Sequence, residues 1–143
     1  MDLSSVYTEI IAEHNKSGRN KKHLDHPTVT LLGRNPSCGD EISLELKLEN
    51  DIIQDASFTG VGCAISQAST SMMIDLVRGQ TVEKAQQLIK VFLGMIKREI
   101  TDEDQLEVLD EAAALQNISN LPARVKCAVL SWHTLETAIK TEG

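Results

Sequence analysis

Glu41-Ile42-Ser43-Leu44-Glu45-Leu46-Lys47-Leu48-Glu49 alternates polar and apolar residues without a break. Side chains of an extended chain point to opposite faces in turn. Ile42, Leu44, Leu46 and Leu48 therefore line the buried side of a strand, and the charged residues line a wet side. Asn50-Asp51 supplies a turn, and Ile52 to Thr59 returns as a second, less regular strand, which predicts an antiparallel hairpin. Upstream, Thr28 to Leu32 predicts a short strand, cut off by Gly33 and Asn35-Pro36.

Helical patterns flank this hairpin. Val6, Ile10 and Ile11 predict a short amphipathic helix that fades near Ser17-Gly18, and Arg19 to His26 reads as a polar, mobile connection. After Gly60-Val61-Gly62-Cys63 the period changes: Ile65, Ala68, Met72 and Leu76 share a helical face, with Gly79 as the stop. Thr81 caps a helix whose core face is Val82, Ala85, Leu88, Ile89, Phe92 and Ile96. Thr101-Asp102-Glu103-Asp104 is an acidic start for a further short helix through about Leu115. Pro122 suits the first turn of a last helix, which buries Val125, Val129, Trp132, Leu135 and Ile139.

The chain has 143 residues, 41% of them apolar, enough for a hydrophobic core without disulfide or metal staples. Aromatic content of 3% and a formal charge of −7 argue against a nucleic-acid partner, which needs stacking platforms and a basic face. No apolar run is long enough to cross a bilayer, so no membrane role is expected. Met1-Asp2-Leu3-Ser4-Ser5 shows no basic region ahead of an apolar stretch, and the expectation is of no signal peptide. Three cysteines are an odd number in a chain that is not disulfide-dense. Reduced thiols in a cytoplasmic protein follow as the default.

Those cysteines and one aspartate are the candidate chemistry. If extended geometry reaches back from the first long strand, Cys38 and Asp40 share the apolar face of Ile42 and Leu44, and an ionised carboxylate there needs a partner. Gly39 lets the backbone come close to whatever they hold. Cys63 stands at the first turn of a helix, where unpaired N–H groups favour a thiolate. Cys127 is read at a similar place in the last helix, flanked by the cations Arg124 and Lys126. Three thiols and a carboxylate make four ligands, the number tetrahedral zinc prefers. The alternative for any single cysteine is a small buried hydrophobe, and for Cys127 the two readings are balanced. His23 and His26 have a ligand-like spacing in a stretch without any core pattern, and His14 and His133 read as helix-surface residues.

Three stretches carry a resemblance: Asn35-Pro36-Ser37-Cys38-Gly39-Asp40, then Gly60-Val61-Gly62-Cys63-Ala64-Ile65-Ser66, then Ala123-Arg124-Val125-Lys126-Cys127-Ala128-Val129-Leu130-Ser131-Trp132. Together they resemble the three cysteine motifs of the IscU/NifU-like iron–sulfur cluster assembly family. Within it the chain looks more like the SufU branch of Gram-positive bacteria, because Lys126 stands where scaffold members have a histidine. The stretch between the second and third cysteines also looks longer, with a helical insertion around 101–117.

The resemblance implies an α+β fold, a small antiparallel sheet packed against several helices, in a single domain over residues 1–143, with zinc on Cys38, Asp40, Cys63 and Cys127. It implies that Cys38 accepts persulfide sulfur from a pyridoxal-phosphate cysteine desulfurase of the SufS type, which the chain stimulates as a sulfurtransferase partner. Arg124 matches a family arginine beside the site with an auxiliary role, and downstream iron–sulfur assembly proteins would be the further partners. Two other functions remain open at this point. One is a scaffold that assembles and transfers a [2Fe–2S] cluster on the same residues; the other is a structural zinc module in an assembly complex.

Overall fold

The structure is a computed structural model that describes residues 3–35 and 39–142. Cys38, on which part of the sequence reading rests, lies outside the described residues, as does the side chain of Val6. The order of elements is α1 (Leu3–Ser17), β1 (Val29–Asn35), β2 (Asp40–Glu49), β3 (Ile52–Val61), α2 (Ala64–Val77), α3 (Val82–Ile96), α4 (Glu103–Leu106), a 3-10 segment (Glu107–Asn120) and α5 (Pro122–Glu142).

The hairpin forms as its alternation predicts. β1, β2 and β3 make one antiparallel sheet in that order, with Leu44 opposite Leu31 on one side and Phe58 on the other. Asn50 and Asp51 both adopt positive φ, 54° and 62°. That is the geometry of a two-residue turn whose twist matches its strands, and Asn and Asp tolerate it better than most residues. A register shift between Lys47 and Leu48 accommodates the irregular start of β3.

β1 does not stop at Gly33 as expected but pairs through it to Asn35, opposite Asp40. The glycine there serves packing: a Cβ on Gly33 would stand 2.0 Å from Thr134 Oγ1 on α5. β1 and α5 approach more closely than any larger residue would allow.

Ile42, Leu44 and Leu46 are fully buried against the helices. The opposite face of β2 is not simply wet. Glu45 is only 4% exposed, because the segment after α1 folds back over it. His23 Nδ1 lies 2.6 Å from Glu45 Oε2, and the Leu24 N–H donates to Oε1 at 3.0 Å. The segment from Arg19 to Leu24 is therefore tied down. The Phe58 N–H donates to the Asn20 carbonyl at 3.0 Å, and Arg19 Nη2 donates to Asp75 at 2.7 Å. Its polar composition reflects polar anchors, not freedom.

α2 is buried on most of its circumference, serines and threonines included, and forms the centre of the helical layer. α3 begins as predicted, with Thr81 Oγ1 accepting from the Lys84 N–H at 3.0 Å. Phe92 on α3 stacks on Trp132 of α5 at 3.9 Å between centroids and 5° between planes. The indole Nε1–H donates to Ser69 Oγ on α2 at 3.0 Å, and the Ser69 hydroxyl donates to the Ala128 carbonyl at 2.6 Å. Three helices meet in this cluster.

The helix expected through Leu115 is only four residues of α-helix. It continues as a 3-10 run to Asn120, kinked at Asp110, where φ is 51°. The reason lies in the spacing of its anchors. Leu106, Leu109, Ala112, Leu115 and Ile118 recur every third residue and all are buried. Three residues per turn put them in one stripe, where a 3.6-residue turn would scatter them.

Candidate metal centre

Asp40 is the first residue of β2 and is fully buried. The antiparallel ladder sets Glu41 opposite Val61, which delivers the end of β3 and the chain after it to the same corner. Cys63 caps α2 with extended backbone angles. Its N–H donates to Asp40 Oδ1 at 3.0 Å, and its sulfur accepts from the Ser66 N–H at 3.4 Å. A sulfur at this position faces the positive end of the helix dipole.

Cys127 comes from the third direction, on α5, and is 1% exposed. It lies in the second turn of a helix that starts at Pro122, not at its start as the sequence reading had it. The dipole argument is therefore weaker for Cys127 than for Cys63, since it falls off beyond the first turn. Arg124 and Lys126 are both exposed.

The ligand atoms of Asp40, Cys63 and Cys127 all lie within 4.8 Å of one another. Donors sharing one tetrahedral zinc are about 3.5–3.8 Å apart, given bonds of roughly 2.0–2.3 Å. Small side-chain rotations separate the two arrangements. Two sulfurs and a carboxylate, drawn from three elements and largely sheltered from water, form a donor set that fits zinc.

Gly62 makes the convergence sterically feasible. A Cβ on it would stand 2.5 Å from Asp40 Oδ1 and 3.0 Å from both Asp40 Cγ and Ser66 Oγ. Ser66 is 1% exposed and its hydroxyl has no hydrogen-bond partner, as is also true of Ser57 and Ser131. In the sequence Ser66 is only the last residue of the second motif, with no role assigned to it.

The sequence reading misplaced His14, which is 2% exposed rather than on a surface. His14 Nδ1 lies 2.7 Å from Ser71 Oγ, and Nε2 lies 3.0 Å from Glu111 Oε1. Its spacing from Ile10 and Ile11 puts it on their helical face, a signal available in the sequence. His14, Asp75 and Glu111 form a second group whose ligand atoms converge within 4.8 Å. Arg19 Nη2 already reaches all three, at 3.2 Å from His14, 2.7 Å from Asp75 and 3.8 Å from Glu111. This cluster has its cation built in. The hydrogen bond to Asp75 raises the Arg19 pKa. Burial pushes the Asp75 carboxyl up, but hydrogen bonds from Asn20 and Arg19 outweigh it and hold the group below the usual carboxylate range. His23 pairs with Glu45, and among the described residues no third donor joins it and His26.

With Asp40, Cys63 and Cys127 brought to one corner, the comparison with known families becomes decisive. Residues 6–141 match the family described as the NifU-like N-terminal domain. The chain belongs to the NifU-like N-terminal domain family. As a NifU-like chain it is similar to the zinc-dependent sulfurtransferase SufU of Bacillus subtilis. The two are 43% identical over 143 residues, covering 99% of this chain and 95% of that one. It is also similar to the iron–sulfur cluster assembly scaffold protein IscU of Thermotoga maritima, at 41% identity over 140 residues, covering 98% and 96%. Among solved structures, a putative iron–sulfur cluster assembly scaffold protein for the SUF system from Fervidobacterium islandicum superposes with a TM-score of 0.87. That pair is 36% identical, covering 94% of this chain and 97% of the other. The NifU-like fold is thus the expected α+β arrangement. No helix among the described residues is long and apolar enough to cross a membrane.

Proposed function

We propose that this NifU-like chain is a zinc-dependent acceptor and carrier of persulfide sulfur in iron–sulfur cluster assembly, working in the cytoplasm with a cysteine desulfurase of the SufS type. The observation that carries the reading is the convergence of Asp40, Cys63 and Cys127 within 4.8 Å. The name and 43% identity of the Bacillus subtilis relative support it, as does Lys126 in place of a histidine before Cys127. The reading takes residues 1–143 as one domain, with the helical stretch around 101–117 as an insertion.

Asp40, Cys63 and Cys127 would hold zinc together with Cys38, which stands two residues before Asp40 in the chain. Zinc, when bound, keeps its cysteine ligands deprotonated at neutral pH. The Cys38 thiolate attacks the terminal sulfur of the persulfide on the desulfurase cysteine. A bond forms from Cys38 Sγ to that sulfur, the donor S–S bond breaks, and the donor cysteine leaves as thiolate. No net oxidation occurs. The sulfur then passes to downstream assembly proteins in the same way. Arg124, exposed one turn before Cys127, would stabilise the thiolate or dock the desulfurase. Val61, 63% exposed and two residues before Cys63, offers apolar surface to the same partner.

The test is incubation with the desulfurase and cysteine, followed by mass spectrometry and a rate measurement. Wild type is expected to carry a sulfur adduct on Cys38 and to accelerate the desulfurase; Cys38→Ala should do neither. Full stimulation by Cys38→Ala would overturn the transfer mechanism. A second reading, a scaffold for a [2Fe–2S] cluster as cargo, draws on the 41% identity to the Thermotoga maritima protein. Delivery of an intact cluster to an apo-acceptor after anaerobic reconstitution would favour it.

A further inference from the structure

Ser66 serves the metal corner through its main chain, by the N–H that donates to Cys63 Sγ at 3.4 Å. Its side chain is unexplained. The hydroxyl is buried without a partner, a state that costs the full desolvation of the group. Ser57 and Ser131 share that state, but Ser66 differs in what stands beside it. The point where a Gly62 Cβ would lie is 2.5 Å from Asp40 Oδ1 and 3.0 Å from Ser66 Oγ. The hydroxyl and the carboxylate thus flank one small space, kept open by the glycine.

We propose that Ser66 is a positioning residue of the metal centre, whose hydroxyl donates a hydrogen bond to the Asp40 carboxylate when an ion is held. A carboxylate that binds a metal is itself normally hydrogen-bonded, which fixes its plane and its donor oxygen. The Cys63 N–H reaches the Asp40 carboxylate from one side at 3.0 Å. Ser66 supplies a second donor from α2 once a side-chain rotation brings its Oγ and the carboxylate together across the space that Gly62 leaves open. Asp40 is then held as a persistent ligand while Cys38 engages a partner. The inference rests on the zinc reading of the site and adds to it a role for the side chain of Ser66, the last residue of the second cysteine motif.

The experiment measures zinc affinity by competition with a chromophoric chelator in wild type, Ser66→Ala, Asp40→Ala and the double variant. Melting of each metal-free protein is recorded alongside. Ser66→Ala is expected to bind zinc about tenfold more weakly. Its metal-free form should melt at or above the wild-type temperature, because an unsatisfied hydroxyl has gone. With Asp40 already replaced, Ser66→Ala should cause no further loss. Zinc affinity of Ser66→Ala within twofold of wild type overturns the proposal. So does an equal loss in the Asp40→Ala background, or a metal-free Ser66→Ala protein that melts well below wild type. Wild type that takes no zinc overturns the reading of the site itself, an outcome distinct from failure of the hydroxyl alone.

Discussion

Gly62 decides how near Asp40 comes to Cys63, and at the residue scale the corner depends on that absent side chain. In Gly62→Ala the new methyl would stand 2.5 Å from Asp40 Oδ1, well inside van der Waals contact. The carboxylate must turn away or the Cys63 N–H bond must lengthen. Zinc affinity is expected to fall at least tenfold while far-UV circular dichroism stays that of wild type. Unchanged affinity would mean that Asp40 contributes little to the site. The residues of the corner were partly legible in the sequence. Strand parity required a partner for Asp40, and the structure supplies the Cys63 N–H. A glycine before Cys63 pointed to a helix start, and Cys63 is its cap. His14 is read as exposed although its spacing from Ile10 and Ile11 places it on their buried face, whereas burial by a third element leaves no trace in the local pattern of a serine such as Ser66.

At the scale of elements, the segment after α1 shows how polar residues can fix a connection. Arg19 and Asn20 reach Asp75 on α2 at 2.7 and 2.9 Å, and Arg78 at the end of α2 donates back to Asn20 Oδ1 at 2.7 Å. Asp75 is a carboxylate whose pKa the fold depresses, with Asn20 and Arg19 overcoming its burial. A depressed native pKa means stability that is present above the ordinary carboxylate range and is lost as pH falls through and below it. Asp75→Asn is therefore expected to cost about 1–2 kcal/mol at pH 7. It should also flatten the decline in melting temperature between pH 5 and pH 3. An acid profile identical to wild type would sink the assignment. Composition alone made this segment look mobile, because polarity is shared by loops that float and loops that are tied. The 3-10 run was different. Its period of three, from Leu106 to Ile118, stands in the sequence and was read against a helical template that does not fit it.

At the scale of the whole molecule, the proposed zinc site joins three otherwise separate pieces of chain: the start of β2, the start of α2 and the second turn of α5. An ion that binds only when those pieces meet stabilises the native state by mass action. At zinc a hundredfold above its dissociation constant the gain is about 2.7 kcal/mol, which for a chain of this length raises the melting temperature by roughly 5–10 °C. Chelation should reverse the shift, and Asp40→Ala should reduce it. A melting temperature indifferent to zinc would contradict the site. The strands and helices are legible at this scale because the switch from period two to helical periods is abrupt at Cys63, while their α+β arrangement came from the family resemblance. The order of packing around α2 was not legible, since its serines and threonines give no sign that nearly every face is covered.

The stacked ring pair has a practical consequence. Trp132 is the single tryptophan of the chain, and it is fully buried against Phe92. Its nitrogen reaches, through Ser69, the carbonyl of Ala128, the residue after Cys127. Indole emission from this protein therefore comes from one side chain in one environment, on the helix that carries a proposed ligand. A change in its intensity or colour on adding metal reports the settling of α5 without any attached dye.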